Sequence, residues 1–279
     1  MNQRVEKLHA LTLKRGRILP LEMVSRYHAD INIVNKPFHL KSDSDVCVVL
    51  VHGWTSTPYE MRILGEQLNS QGLAVDAPLL SGHGTCPESL ESVSWQDWVN
   101  DVEKAYKRVS KQYKKVYLGG MSLGGTLALH VAVKNPNVDG LVLMSTPYKM
   151  KYEKAGLLIA HITRRFVNYK RKYYPRVLNP EPSITQLISY QKYPIGSAFE
   201  AFDAIKKSHN YLENIKQPTF LVQPKKDHLV SRSSIYDIYT RIASDKKKMR
   251  IIQKASHNFM GNGEHADVFD EVIDFIKNN

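Results

Sequence analysis

The stretch that most constrains the fold of this chain runs from Val116 to Gly125 and reads Val-Tyr-Leu-Gly-Gly-Met-Ser-Leu-Gly-Gly. An apolar, β-branched run leads into a Gly-x-Ser-x-Gly turn, and residues 126–134 continue with a helical pattern. A strand, a sharp turn and a helix in this order place the central serine, Ser122, at a strained tip with its hydroxyl exposed. Glycines flank this serine because side chains there would clash with the neighbouring strand and helix. Ser122 is therefore the candidate nucleophile.

Other structures can also contain a glycine-rich turn after a strand. A phosphate-binding P-loop needs Lys directly after its last glycine, whereas Thr126 follows Gly125, and a dinucleotide-binding turn needs a different glycine spacing. An ordinary turn stays open on this motif alone. The rest of the chain has to decide between that turn and a nucleophile.

Strands and helices alternate around this turn. The continuous apolar run Val46–Val51 is typical of a strand buried on both faces of a parallel sheet. Further strands are predicted at 73–78, 116–121, 141–144, 219–222 and 249–252, and helices at 58–72, 94–109, 126–134, 233–242 and 264–276. This rhythm predicts an α/β fold with a mostly parallel sheet and helices on both of its faces.

One insertion interrupts the rhythm. Residues 148–205 contain a helical patch at 155–166, several prolines and no strong strand, and we expect a small helical cap over the carboxyl end of the sheet. The core then comprises residues 46–147 and 206–279. Residues 1–45 form a polar N-terminal extension, with weak strand candidates at 31–34 and 38–40. The apolar residues of the cap helix could line an acyl channel or pack the cap onto the core; they are Leu157, Leu158, Ile159, Ile162 and Phe166.

The net charge of +12 is partly local to this cap. The basic residues there are Lys149, Lys151, Lys154, Arg164, Arg165, Lys170, Arg171, Lys172 and Arg176, and Lys246–Lys248 form a second run. Because no RNA- or DNA-binding motif accompanies them, these charges indicate solvated faces and no nucleic-acid partner. A weak contact between the basic cap and an anionic membrane surface stays open.

The N-terminal 21 residues and the two cysteines bear on the compartment. Residues 1–21 carry charges throughout and have no apolar run, which predicts neither a signal peptide nor a membrane span and favours the cytoplasm. Cys47 lies in a strand pattern and Cys86 in a loop, as expected for two free thiols. Neither has His or Cys partners at metal-ligand spacing, so we expect no metal site.

A serine hydroxyl needs a base within hydrogen-bond reach, and that base needs an orienting carboxylate. In the hydrolase arrangement the residues follow each other as Ser, then Asp or Glu, then His. Asp227 and His257 fit this order, and each comes just after a predicted strand, so both should lie at the same edge of the sheet as Ser122. His265 is the competing base, and it falls inside a helix pattern.

Two backbone N–H groups are expected to form an oxyanion hole. One belongs to Leu123, which follows the nucleophile, and the other to Trp54, which follows the His52-Gly53 pair at the end of a strand. His52 is expected to brace this loop through a hydrogen bond. The Trp54 side chain would help to wall the acyl pocket.

Several motifs resemble those of the α/β-hydrolases, specifically the bacterial carboxylesterase and monoacylglycerol lipase group. The matching segments are His52–Pro58, Ala77–Pro78 with Gly82–Thr85, Trp95–Trp98, Gly120–Gly124 and Tyr190–Pro194. The resemblance runs from about Val46 to the C-terminus. It implies the α/β-hydrolase fold with a small helical cap, and a catalytic triad at the positions of Ser122, Asp227 and His257.

These features together predict a serine carboxylic-ester hydrolase. It would act on short- to medium-chain esters or monoacylglycerols through an acyl-enzyme and would require no metal or cofactor. A thioesterase or a C–C bond hydrolase stays open, since the same triad serves all three reactions. A ligand receptor that retains the triad is the alternative from another class. Acyl length, the alcohol group and the oligomeric state are not predicted.

Overall fold

A computed structural model describes residues 35–172, 188–257, 259–261 and 265–279. The strand candidate at 31–34, most of the N-terminal extension and Arg176 of the cap lie outside these residues.

The described elements alternate between strands and helices as the sequence predicts. The strands are β1 (Phe38–Leu40), β2 (Val46–Val51), β3 (Ala74–Ala77), β4 (Lys115–Met121), β5 (Gly140–Met144), β6 (Tyr169–Arg171), β7 (Lys192–Pro194), β8 (Thr219–Pro224) and β9 (Lys247–Ile252). The α-helices are α1 (Arg62–Ser70), α2 (Trp95–Val109), α3 (Leu123–Lys134), α4 (Glu153–Thr163), α5 (Ile195–Ser208), α6 (Ser233–Arg241) and α7 (Ala266–Lys277). Short 3₁₀ turns occur at Pro58–Met61, Pro87–Leu90, His209–Asn214 and Phe259–Gly261.

The described strands other than β6 and β7 form one sheet in the order β1-β3-β2-β4-β5-β8-β9. Strand β1 runs antiparallel to β3, and the remaining neighbours are parallel. The carboxyl ends of β4, β5 and β8 therefore meet at one edge, and the loops that follow them can share a site. The predicted α/β class with a mostly parallel sheet is confirmed.

The core lies on both faces of the sheet. Along β2, Cys47 and Val49 pack with the cluster that includes Trp98 of α2 and Leu127 of α3. The alternate residues of β2 pack on the other face, with the cluster that includes Leu64 of α1 and Phe269 of α7. Because successive strand residues point to opposite faces, an uninterrupted apolar run is what a strand between two helical layers requires.

Helix boundaries differ from the sequence prediction in two places. The helix predicted to begin at Pro58 starts as a 3₁₀ turn, and α1 begins at Arg62. Helix α3 begins at Leu123 rather than Thr126, directly after the serine. Helix α2 begins with a capping box: Ser94 N–H donates to Asp97 Oδ2 at 2.9 Å, and Asp97 N–H donates to Ser94 Oγ at 3.3 Å.

The segment proposed as a cap contains strands that the sequence did not reveal. Strands β6 and β7 form an antiparallel pair. The sequence pattern does not predict them, because three-residue strands with exposed Lys and Arg side chains show no alternation of apolar and polar residues. The proposed border between cap and core at 205/206 falls inside α5, whose Ala204 and Ile205 are buried. Among the helices of the described ranges, none combines the length and apolar character needed to cross a membrane.

Candidate active site

Ser122 occupies the turn between β4 and α3 in a strained backbone conformation. Its φ of 54° and ψ of −117° lie where residues other than glycine are uncommon. Its N–H donates to the carbonyl of Met144 at 2.8 Å, and its own carbonyl accepts from Gly125 at 3.0 Å. These bonds hold the strained turn between two parallel strands and the first turn of α3.

Glycine is required on either side of this turn because neighbouring backbone atoms lie too close to leave room for a side chain. A Cβ on Gly124 would lie 2.1 Å from the carbonyl oxygen of Val51, and one on Gly120 would lie 2.2 Å from the carbonyl carbon of Gly124. Both distances are far shorter than any real contact. The Gly-x-Ser-x-Gly pattern therefore lets α3 pack directly onto β4 and β2, which brings Ser122 next to the end of β2.

Asp227 and His257, predicted from their place after strands, lie together. The Nδ1 atom of His257 lies 2.7 Å from Oδ2 of Asp227, and both side chains are buried. Oδ2 also accepts from Gln223 Nε2 at 2.9 Å. The other carboxylate oxygen, Oδ1, accepts from the N–H groups of Leu229 at 2.9 Å and Val230 at 2.8 Å. The carboxylate is thus fixed by donors on its own loop and on β8, and it forms a hydrogen bond with the His257 ring.

The pKa values of this pair move apart. Burial by itself would raise the pKa of Asp227, but the charge and hydrogen bond of His257 and the two backbone N–H donors outweigh it, so the pKa lies below 3.8. Burial would also lower the pKa of His257, but the charge and hydrogen bond of Asp227 outweigh it and raise the pKa above 6.5. This shift makes the imidazole a stronger base than a free histidine.

His265 is the competing candidate for the base. It precedes α7 at the N-cap position rather than inside a helix. Its ring packs edge-on against that of Phe259, with the ring centroids 6.1 Å apart. His228, next to Asp227 in sequence, has its ring centroid 6.1 Å from that of His257. Of these three histidines, His257 is the one whose ring forms a hydrogen bond with the Asp227 side chain.

The loop after β2 carries Trp54, one of the predicted oxyanion donors. The carbonyl of Gly53 accepts from His52 Nδ1 at 2.9 Å and from the N–H of Ser56 at 3.1 Å. His52 Nε2 in turn accepts from Leu80 N–H at 3.2 Å, so the imidazole bridges two loops. This matches the expectation that His52 braces the loop by a hydrogen bond.

The other predicted oxyanion donor is the N–H of Leu123, the first residue of α3. The N–H groups of a first helical turn have no carbonyl partner within the helix. A first-turn N–H directly after Ser122 can therefore donate to a bound oxygen anion, and the helix dipole favours negative charge there.

Three polar residues around the Trp54 loop were not identified from the sequence as part of the site. His83 accepts from Thr55 N–H at 2.9 Å through Nε2, and burial lowers its pKa to about 4, so it is neutral. Glu60 is buried, and its Oε2 accepts from Gly53 N–H at 2.6 Å. Lys172 donates to Thr55 Oγ1. Glu60 and Lys172 belong to a helix pattern and a basic cluster that both resemble solvated surface, so no sequence signal marks them.

The cap helix α4 is exposed to solvent. It has no buried residue, and Leu158, Ile159, Ile162 and Phe166 are exposed. Packing of this apolar face onto the core is therefore absent among the described residues, whereas its lining of an acyl channel stays a prediction. A different cap residue contacts the site: Tyr193 of β7 packs against Trp54 with ring centroids 4.6 Å apart.

Within the described ranges, no three His, Cys, Asp or Glu side chains converge in a way that could hold a metal ion. Cys47 is buried and Cys86 exposed, and both are free thiols.

A strained serine between a parallel strand and a helix, followed along the same sheet edge by a paired Asp and His, defines the α/β-hydrolase class. Residues 42–264 match the family described as serine aminopeptidase, S33, and the chain belongs to that family. It is 29% identical over 249 residues to a carboxylesterase of Bacillus subtilis (strain 168), covering 88% of this chain and 97% of that one. It is 28% identical over 222 residues to a thermostable monoacylglycerol lipase of Bacillus sp. (strain H-257), covering 80% and 86%.

A solved structure has the same fold. One of two metagenome-derived lipolytic enzymes, LipS and LipT, superposes with a TM-score of 0.80 at 21% identity, covering 88% of this chain and 99% of that one. At this identity the likeness concerns the fold.

Proposed function

We propose that this protein is a serine carboxylic-ester hydrolase that works through an acyl-enzyme. The observation that carries the proposal is the 2.7 Å contact between Asp227 and His257 at the sheet edge that also presents the strained Ser122. The similarity to a carboxylesterase and a monoacylglycerol lipase supports an ester as the substrate.

The reaction follows from these groups. His257 Nε2 takes the proton of Ser122 as its Oγ attacks the ester carbonyl, and the negative oxygen is stabilised by the N–H groups of Trp54 and Leu123. When the C–O bond breaks, His257 returns the proton to the leaving alcohol. Water then attacks the acyl-enzyme by the same proton transfers and releases the acid. Asp227 keeps the Nδ1–H of His257 in place, so that Nε2 is the basic nitrogen.

The test is a hydrolysis panel with wild type and Ser122→Ala. The panel contains p-nitrophenyl esters and monoacylglycerols of graded chain length, acyl thioesters and an aminoacyl p-nitroanilide. We expect the highest kcat/KM on esters, and a loss of about 10⁴-fold or more in Ser122→Ala because a triad member is missing.

A fluorophosphonate probe should label wild type and the control Ser110→Ala, whose serine is exposed at the end of α2, but not Ser122→Ala. Undiminished turnover in a folded Ser122→Ala protein would overturn the mechanism. A preference for thioesters or for the anilide would change the substrate class and leave the mechanism in place. Binding without turnover of any panel member would favour a ligand receptor.

We also propose that the cap makes weak contact with anionic lipid surfaces. Phe166 is 83% exposed and Leu158 is 61% exposed, on and just after α4. Exposed cations surround them, and these are Lys154, Arg164, Arg165, Lys170 and Arg171. Apolar side chains with flanking cations are what an anionic bilayer surface attracts.

Co-sedimentation with vesicles tests this contact. We expect more binding to phosphatidylcholine mixed with phosphatidylglycerol than to phosphatidylcholine alone, and less binding at high salt. The double variant Leu158→Glu with Phe166→Glu should lose it. The control Tyr236→Glu, an exposed aromatic residue on α6, should not. Equal binding by all three proteins would contradict the proposal.

A further inference from the structure

Glu60 is a buried carboxylate that the proposed reaction leaves without a role. It lies in the 3₁₀ turn Pro58–Met61 and is 3% exposed. A carboxylate removed from water is costly unless hydrogen bonds and opposite charges compensate for the lost solvation. Its compensation comes from the site: Oε2 accepts from the N–H of Gly53 at 2.6 Å.

Gly53 lies where the loop after β2, which carries Trp54, meets the turn between β4 and α3, which carries Ser122. We call the second of these the nucleophile turn. A Cβ built on Gly53 would lie 3.4 Å from the carbonyl oxygen of Met121 and 3.6 Å from Cβ of Ser122. The same Cβ would lie 3.2 Å from Glu60 Oε2. Gly53 is thus held between the carboxylate on one side and the nucleophile turn on the other.

The two peptide groups of Gly53 are both anchored. The carbonyl of Gly53 and the N–H of Trp54 belong to one planar peptide group and point in opposite directions. Hydrogen bonds from His52 Nδ1 and Ser56 N–H to that carbonyl set the orientation of this plane, and so the direction of the Trp54 N–H. Glu60 fixes the preceding peptide plane, between His52 and Gly53, through its hydrogen bond with the Gly53 N–H. Rotation about the φ and ψ angles of Gly53 is then restrained on both sides of its Cα.

We propose that Glu60 is a positioning residue whose carboxylate holds the Gly53 peptide, and through it aims the Trp54 N–H at the substrate oxygen. Glycine has the greatest backbone freedom of any residue, so an unanchored Gly53 would let the donor swing away. A donor that is fixed before the reaction stabilises the transition state without reorganising, which is the advantage of an oxyanion hole.

The pKa of Glu60 reflects both its burial and the groups around it. Burial is the largest influence and leaves the pKa of Glu60 raised, although the hydrogen bond from the Gly53 N–H and the charges of His257 and Lys172 act to lower it. Lys172 reaches this region from the cap and donates to Thr55 Oγ1, two residues beyond Gly53. Burial lowers the pKa of Lys172 to about 8, and the charge of Glu60 opposes that change. His257 and Lys172 can both carry a positive charge, and that charge favours the ionised form of Glu60.

The inference rests on the proposed function, and its test uses Glu60→Gln and Glu60→Met. Glutamine keeps an oxygen acceptor for the Gly53 N–H, whereas methionine has a similar length and no such acceptor. Glu66→Gln is the matched control, because Glu66 is an exposed carboxylate of α1 paired with Arg62. Thermal unfolding of each variant confirms folding, and kcat and KM on the best ester of the panel are measured separately.

We expect Glu60→Gln and Glu66→Gln to keep kcat within about threefold of wild type. Glu60→Met should lose about 30-fold or more in kcat with KM nearly unchanged, since removing an oxyanion-hole donor outright costs about 10²- to 10³-fold. Wild-type kcat in Glu60→Met would overturn the inference. So would an equal loss in both Glu60 variants, or a change confined to KM.

A second measurement needs neither activity nor the methionine variant. In wild-type protein labelled with ¹⁵N-glycine, the Gly53 amide proton should resonate far downfield, as a short hydrogen bond to a carboxylate requires. It should move upfield in Glu60→Gln and stay in place in Glu66→Gln. An ordinary Gly53 shift in wild type would overturn the inference. Absence of ester turnover with a downfield Gly53 signal would instead count against the proposed function.

Discussion

His257 Nδ1 lies 2.7 Å from Asp227 Oδ2, in a pair where loop backbone N–H groups and Gln223 occupy the other positions around the carboxylate. The two residues are 30 positions apart and come from loops after neighbouring parallel strands, β8 and β9. A carboxylate fixed by its own loop can orient a histidine from the next loop without moving itself.

His257, and not His265, should be the general base. His257→Ala should lose about 10⁴-fold or more in kcat, because the proton of Ser122 then has no acceptor. His265→Ala should stay close to wild type, since its ring contacts Phe259 and not Asp227. The comparison is made on the best p-nitrophenyl ester. An inactive His265→Ala variant together with an active His257→Ala variant would reverse the assignment.

The pH dependence of kcat/KM should report the raised pKa of His257. The base works only as neutral imidazole, so activity should rise with pH and reach half of its maximum above pH 6.5. Asp227→Asn should lower kcat by about 10⁴-fold because His257 loses the partner that sets its tautomer.

The residual activity of Asp227→Asn should reach half of its maximum at a lower pH than wild type. The charge that raises the pKa of His257 is then missing, and burial, which lowers it, remains. The control is Asp45→Asn, whose carboxylate is exposed and pairs with Lys114. If the pH of half-maximal activity is the same in Asp227→Asn as in wild type, the assignment of this pair is contradicted.

Tyr193 should influence the choice of acyl chain, whereas Leu158 should not. Tyr193 contacts Trp54 from the cap, and Leu158 is exposed on the outer face of α4. Tyr193→Ala should change the ratio of kcat/KM between short and long esters by about tenfold, within the range that an apolar pocket achieves. Leu158→Ala should leave the ratio unchanged. The opposite pattern would mean that α4 lines the acyl channel.

Gly124→Ala should destabilise the fold, because the added Cβ would lie 2.1 Å from the Val51 carbonyl oxygen. Forcing α3 away from β2 should lower the free energy of unfolding by about 3 kcal/mol or more. Gly156→Ala is the matched control: a Cβ there meets nothing within 4 Å, and alanine in a helix should stabilise by about 0.5–1 kcal/mol. Urea unfolding measures both, and equal stability of the two variants would contradict the close-approach argument.

Much of the fold could be predicted from local pattern. The apolar run Val46–Val51 and the glycines around Ser122 each correspond to one physical demand, burial on both faces in the first case and close approach of a helix in the second. The closeness of Asp227 and His257 also followed from pattern, since residues after adjacent parallel strands share an edge. The roles of Ser122, Asp227, His257, Trp54 and Leu123 stay predictions. The variants above test those of Ser122, Asp227 and His257 directly.

The sequence by itself determined most strands of the large sheet, the helices between them and the edge of the sheet that their loops share, because strand and helix periods are read from neighbouring residues. Tertiary structure alone decided the environment of each polar side chain. Glu60 follows a proline at the start of a helical pattern, where acidic residues are common and solvated, yet it is buried beneath Gly53. The apolar face of α4 looks like a packing face, yet it is exposed. Burial depends on which distant segment covers a residue, and no local pattern contains that information.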